Sequence, residues 1–247
     1  MSNIQKPLFM VINKNTIFSI FIVLVSIFGY SQNGVNQHDA NGKKNGKWIK
    51  YFEEEEPKQV RYEGTFEHGQ EIGVFKFYEP KSGKQPVATK EYTKGSNKVL
   101  VTFYNKAGKV VSKGHMVDKK REGKWEIFHK NGTQLMLIET YKNDKLHGEK
   151  ITYFPNGNVA MSQHYKNGVL HGQTLIYGDN KTIIQKYAYV DGKVEGHASF
   201  YDSEGNLLTE GNYKNGLKDG IWKIYENGEL VEEELHPKPI PTPKAKP

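Results

Sequence analysis

The sequence predicts an all-β protein, an extended single-layer antiparallel meander of about eight β-hairpins. Three observations predict it. An anchor glycine, replaced once by Val99, is followed five residues later by an aromatic in eight places, at intervals of 27, 26, 24, 25, 24, 24 and 24 residues. Between these marks apolar residues recur with period two, as a half-buried strand requires. Glycine-containing turns separate the runs at fixed places, and no stretch after residue 32 shows a convincing helical period. Repeats of this length indicate a stacked array in which each unit contacts its neighbours.

The first 31 residues form the first segment. Ile17–Phe28 is an uncharged apolar run preceded by Lys14 and followed by Gly29-Tyr30-Ser31. This has the n-region, h-region and small-x-small site of a secretory signal peptide cut after Ser31, and it is shorter than the ~20 residues of a membrane span. The expected address is therefore outside the cytoplasm: periplasm, outer envelope or extracellular. Residues 32–40 read as a short linker.

The array covers residues 41–235. Its anchors are Gly46, Gly73, Gly123, Gly148, Gly172, Gly196 and Gly220, with Val99 as the degenerate eighth. Two and four residues on come pairs such as Phe75 and Phe77, Trp125 and Ile127, or Trp222 and Ile224. A first turn follows at Asn131-Gly132, Asn156-Gly157 or Glu204-Gly205, for which type I′ geometry is expected. The returning strand closes on an aromatic such as Tyr141, Tyr165, Tyr189 or Tyr213, and a second turn such as Asn167-Gly168, Asp191-Gly192 or Asn215-Gly216 leads to the next copy. The copies near 53–60 and 79–98 depart from the pattern through insertions. The tail, 236–247, alternates Pro with other residues and reads as extended or disordered.

Composition agrees with a thin structure. Hydrophobic residues make up 36% of the 247, yet aromatics reach 12%, which argues against global disorder. With no cysteine, disulfides, thiolate metal sites and Cys nucleophiles are excluded. The net charge of +7 resides mostly at the ends, since residues 32–235 hold 30 basic and 28 acidic residues. That distribution argues against a nucleic-acid-binding face.

The Gly-to-Tyr spacing and the anchors Leu146-His147-Gly148 and Leu170-His171-Gly172 resemble the MORN-repeat family, most closely its bacterial, antitoxin-annotated variant. The resemblance covers residues 41 to about 232. It implies an open-faced sheet acting as a scaffold for proteins or membranes.

Few residues look chemical. Gly42–Lys47 has three residues between its glycines where a phosphate-binding loop has four, and Trp48 stands where Ser or Thr is needed. His147 and His171 hold equivalent places in successive copies, ~10 Å apart on the ladder, too far to share an ion. Glu53–Glu56 reads as a solvated loop tip. No metal, cofactor or catalytic constellation is expected. The repeated feature is an aromatic stripe, Tyr51, Tyr78, Tyr104, Phe128, Tyr153, Tyr177, Tyr201 and Tyr225, expected mainly as the packed core and alternatively as a groove for a peptide, glycan or lipid. The expected function is a non-catalytic exported scaffold binding a protein or envelope partner. The alternatives are an antitoxin-like neutralising protein or a glycan- or lipid-binding attachment module.

Overall fold

The computed structural model describes residues 34–53 and 58–237. The expected signal peptide, Glu54–Glu56 and the tail from Lys238 lie outside the described residues. Every strand falls within the unit Asn36–Pro247.

Eighteen β-strands and no helix are present among the described residues. They are β1 (Gln37–His38), β2 (Lys44–Tyr51), β3 (Val60–Glu67), β4 (Gln70–Phe77), β5 (Ala88–Tyr92), β6 (Lys98–Tyr104), β7 (Val110–Val117), β8 (Lys120–Phe128) and β9 (Leu135–Lys142). There follow β10 (Lys145–Tyr153), β11 (Val159–Lys166), β12 (Val169–Tyr177), β13 (Ile183–Val190), β14 (Lys193–Val194), β15 (Gly196–Tyr201), β16 (Leu207–Lys214), β17 (Leu217–Glu226) and β18 (Glu229–His236). All pairings are antiparallel and follow chain order, with β13 pairing both β14 and β15. Two of the strands, β1 and β14, span two residues each, and the other sixteen form the eight expected hairpins. Gln37 and His38, read as linker, pair with Asn45 and Lys44 and so belong to the ladder.

Most first turns differ from the expectation. Type I′ geometry sits at the second turns, where both central residues have positive φ: Asn167-Gly168 (53°, 90°), Asp191-Gly192 (47°, 83°) and Asn215-Gly216 (53°, 86°). At the first turns Gly132, Gly157 and Gly205 only the glycine is positive. Lys181 (72°) takes that place in the turn 178–182, and the first turn of the last hairpin, Asn227-Gly228 (52°, 82°), keeps the expected type I′ geometry. Gly157 donates to the Phe154 carbonyl while Phe154 donates to Asn158, which is a type I turn closed by a glycine bulge. An extra residue on the returning strand accompanies it: Thr152 pairs with Met161 and Tyr153 with Val159, leaving Ala160 bulged.

A second irregularity lies at the anchors. Leu146 pairs with Tyr141 but Lys150 with Glu139, so the register slips by two residues around Gly148. The same slip occurs around Gly73, Gly123, Gly172 and Gly220. All seven anchors have positive φ, from 65° to 109°. A Cβ on Gly46, Gly73, Gly123, Gly196 or Gly220 would meet no atom within 4 Å. Backbone conformation, not crowding, therefore requires glycine at these places. At the degenerate anchor, Val99 pairs regularly with Tyr92 and the slip is absent.

Candidate functional site

Each long strand contributes one residue to a row that crosses the whole ladder. The row reads Trp48, Gly64, Phe75, Lys90, Val101, Gly114, Trp125, Glu139, and continues Lys150, Gln163, Thr174, Tyr187, Ala198, Gly211, Trp222, Glu234. It contains the best-buried side chains, with Trp222 and Val101 at 1% exposure and Thr174 at 0%. The sequence-expected core stripe is thus not the core. The core is the row two residues after each anchor, together with its partners on the returning strands.

Size alternates along this row for a physical reason. Gly64, Gly114 and Gly211 have no positive φ, yet a Cβ on each would overlap the ring of Phe75, Trp125 or Trp222. The missing Cβ lets the ring lie flat over the neighbouring strand. Where the residue two after the anchor is not aromatic, its partner on the preceding strand is larger than glycine: Lys90 beside Val101, Glu139 beside Lys150, Gln163 beside Thr174. Closing aromatics stand edge-on to the same rings, Phe66 on Phe75 at 5.1 Å and Tyr213 on Trp222 at 5.0 Å, a geometry worth about 0.5–1.5 kcal/mol per pair. The tryptophans also spend their polar atom alike. Nε1–H donates at 3.0 Å to the Gln37, His115 and Asn212 carbonyls in turn.

The aromatic stripe lies on the opposite face, because the alternation of a strand separates positions two and five after the anchor. Tyr51 is 41% exposed, and Tyr78, Tyr104, Phe128, Tyr153, Tyr177, Tyr201 and Tyr225 are half-buried. Several reach back to the residue fifteen places earlier. The hydroxyls of Tyr78 and Tyr225 donate to Glu63 and Glu210 at 2.8 and 2.9 Å, and that of Tyr104 lies 3.2 Å from Thr89 Oγ1. Phe128 has no hydroxyl, and Lys113 Nζ lies 5.5 Å from its ring centre. Burial first, then the bond to Glu63, pushes the Tyr78 hydroxyl up to about 12. That bond, helped by Lys76, holds the Glu63 carboxyl below its usual range. On the row face, burial and the bond to Glu139 likewise push Tyr141 up to about 12, against the opposing influence of Arg121.

His147 and His171 are structural links between successive turns. Their Nδ1 atoms lie 3.4 and 3.5 Å from the backbone N–H of Asn167 and Asp191, the first residues of the next type I′ turns. Asn45, Glu122 and Glu195 accept the equivalent bonds from His68, Asn143 and Asn215. At the opposite ends of the strands, side-chain amides join first turns: Asn158 donates to the Asp179 carbonyl and Asn180 to that of Ser203. Both histidines, read from the sequence as turn residues, stand instead within strands β10 and β12, one residue before an anchor glycine, and their turn partners lie twenty residues on.

A groove of about 600 Å³ opens at the degenerate third copy. Its floor is Tyr92, Val99, Val101 and Met116, with Lys90 and Lys119 among its lining. Val101 stands where four of the copies carry a ring, and the turn there, 93–97, is longer than two residues. Among the described residues no cluster of three or more His, Asp or Glu could hold a metal ion, and no helix is long and apolar enough to cross a membrane.

Two segments, 146–167 and 194–215, match the family model described as "MORN repeat variant". Both begin two residues before an anchor glycine and end on the first residue of a type I′ turn, so they share one phase. The chain is similar to that repeat there, and its other hairpins repeat the same geometry. No curated protein matches the chain in sequence. Among solved structures, a mutant of S. aureus TarM in complex with Fondaparinux, alpha-GlcNAc-glycerol and UDP aligns over 57% of this chain and 21% of that one, at 13% identity and a TM-score of 0.24. This chain thus spans about a fifth of that chain's length, and the likeness carries no argument about fold or ligand.

Proposed function

We propose that this chain is a non-catalytic, exported repeat scaffold that binds a protein or cell-envelope partner. The observation that carries the reading is the use of the repeated polar groups. His147, His171, Glu122, Glu195, Glu63 and Glu210 each bond to a neighbouring copy, so the repeat invests its polar chemistry in holding the ladder. What the ladder offers is surface: a single layer with both faces open, carrying exposed apolar residues such as Val74 (50%) and Ile221 (53%). The match to MORN repeat variant supports the same reading, since such repeats generally mediate protein or membrane interactions. Export rests on Lys14, the run Ile17–Phe28 and Gly29-Tyr30-Ser31.

Fractionation with in-cell cross-linking and mass spectrometry tests both parts. The expected result is a mature chain beginning at Gln32, outside the cytoplasm, cross-linked to a protein or envelope component. An intact N-terminus in the cytosol would end the export reading. Turnover of a substrate by the purified chain would end the scaffold reading.

A further inference from the structure

Seven Asn-Gly pairs lie within the described residues, and six of them sit in turns: 41–42, 131–132, 156–157, 167–168, 215–216 and 227–228. Asn45 and Gly46 lie inside β2 instead. In five of the six turns the glycine N–H is engaged. Gly42, Gly132 and Gly157 donate back across their own turns, to the carbonyls of Asp39, His129 and Phe154 at 2.9, 2.8 and 2.9 Å. Gly168 and Gly216 donate to the previous copy, to the carbonyls of Leu146 and Val194 at 2.7 and 2.9 Å. Gly228 differs. Among the described residues its N–H has no acceptor, and the Asn227 side chain makes no hydrogen bond. Both residues are exposed.

The ladder accounts for the exception. Second turns lie beside the anchor bulges. The carbonyl two residues before an anchor glycine, that of Leu146, Leu170 or Val194, accepts from the glycine N–H of the next type I′ turn. First turns lie at the other ends of the strands, where there is no anchor, and their type I form with a glycine bulge bonds that N–H internally. Asn227-Gly228 is a type I′ turn at the first-turn end, so neither acceptor is at hand. Its conformation does not set it apart. Its φ values are 52° and 82°, against 53° and 90° at Asn167-Gly168 and 53° and 86° at Asn215-Gly216. The three turns share a dipeptide and a backbone shape and differ in one hydrogen bond.

We propose that Asn227 is a deamidation site, the Asn-Gly turn of the folded chain that converts first. The nucleophile is the backbone nitrogen of the following residue. The Gly228 nitrogen gives its proton to water or hydroxide and attacks Asn227 Cγ. The Cγ–Nδ2 bond then breaks and ammonia leaves. Water opens the resulting succinimide at either carbonyl, which leaves aspartate or isoaspartate, and nothing is oxidised or reduced. At Asn167 and Asn215 the same step must first break the bond from glycine to carbonyl. The product alters the end of the ladder. It places a negative charge between Glu226 and Glu229, which already pair across the hairpin, and like charges opposed on two strands destabilise their pairing. Isoaspartate also adds an atom to the main chain of a two-residue loop that fixes the register of β17 and β18. Conversion therefore loosens β18, whose His236 stands edge-on to the Trp222 ring at 6.4 Å.

The test incubates the full folded chain in mildly alkaline buffer and follows each Asn-Gly pair by peptide mass spectrometry that separates aspartate from isoaspartate. Asn227 should convert about fivefold faster than Asn167 and Asn215, the factor expected for one backbone hydrogen bond that must open first. The chain held unfolded in urea should convert all three at similar rates, which assigns the ranking to the fold. Hydrogen exchange at residues 229–236 should quicken in the aged chain and stay slow in Asn227→Gly aged alongside, since Gly-Gly keeps a type I′ turn. Conversion of Asn167 or Asn215 in the folded chain at the rate of Asn227 overturns the proposal. So does an Asn227 that stays intact over the time in which the unfolded chain converts. Unchanged exchange at 229–236 after conversion overturns the loosening of β18.

Discussion

Gly211 and Gly220 lie nine residues apart and are glycine for unrelated reasons. Gly211 makes room: a Cβ there would overlap the Trp222 ring. Gly220 supplies conformation: φ is 73° and a Cβ would touch nothing within 4 Å. Gly220→Ala should therefore cost about 1–2 kcal/mol, the strain of a left-handed residue. Gly211→Ala should cost about 1–3 kcal/mol through overpacking and should also disturb the near-UV signal of Trp222, whereas Gly220→Ala should leave that signal intact. Chemical denaturation followed by circular dichroism separates the two. The same logic ranks the aromatics. Trp125→Ala should cost about 3–5 kcal/mol as a core truncation. Tyr177→Ala, half-buried on the stripe face, should cost clearly less, and parity between them would return the stripe to the core. The tyrosines also fix a pH dependence. Tyr78 and Tyr141 keep their protons in the folded chain to about 12, against a usual value of 10. Unfolded chains bind fewer protons between those values, so stability is full below pH 10 and falls as pH rises through the window. Replacing both with Phe should flatten that alkaline decline in a melt series.

At the scale of the element, Val99 is a natural substitution for an anchor glycine, and its effect is visible: the two-residue slip is absent and the pairing runs straight. The anchors therefore shape the strands by bulging them, as bulges generally do. The row adds a second rule, that a tryptophan in it has a glycine beside it. Lys150→Trp should be strongly destabilising, because Glu139 occupies the space that Gly114 and Gly211 vacate for Trp125 and Trp222. Adding Glu139→Gly should recover much of the loss. A double-mutant cycle measures this, and a favourable coupling of at least about 1 kcal/mol is expected for residues in such contact. Additive losses would show that ring and glycine are not matched.

At the scale of the molecule, nearest-neighbour stacking means that a whole copy can be removed while half a copy cannot, since half a copy reverses the pairing. Which copy is removed also matters. Deleting residues 172–195 sets Gln163 beside Ala198, a pair with room to spare. Deleting residues 196–219, also 24 residues, sets Tyr187 beside Trp222 in place of Gly211, two rings with no gap between them. The first deletion should melt cooperatively near the parent, and the second should be markedly less stable. Equal melts would refute the row as the determinant of the core.

The repeat, the hairpins and the single layer were legible in the sequence because they follow from local rules. Period-two alternation makes strands, and glycine with Asn or Asp makes turns, whatever lies nearby. The aromatic stripe was equally legible as a pattern. Its role was not, because both aromatic positions recur with the same period, and periodicity does not say which face is covered. That was decided between strands: by Gly64, Gly114 and Gly211 receding under Phe75, Trp125 and Trp222, while on the other face Tyr78 and Tyr225 donate to Glu63 and Glu210. The turn links of His147 and His171 were hidden for the same reason, their partners lying a full copy away. Local chemistry fixes the conformation of each hairpin. Only the contact of one hairpin with the next chooses its core.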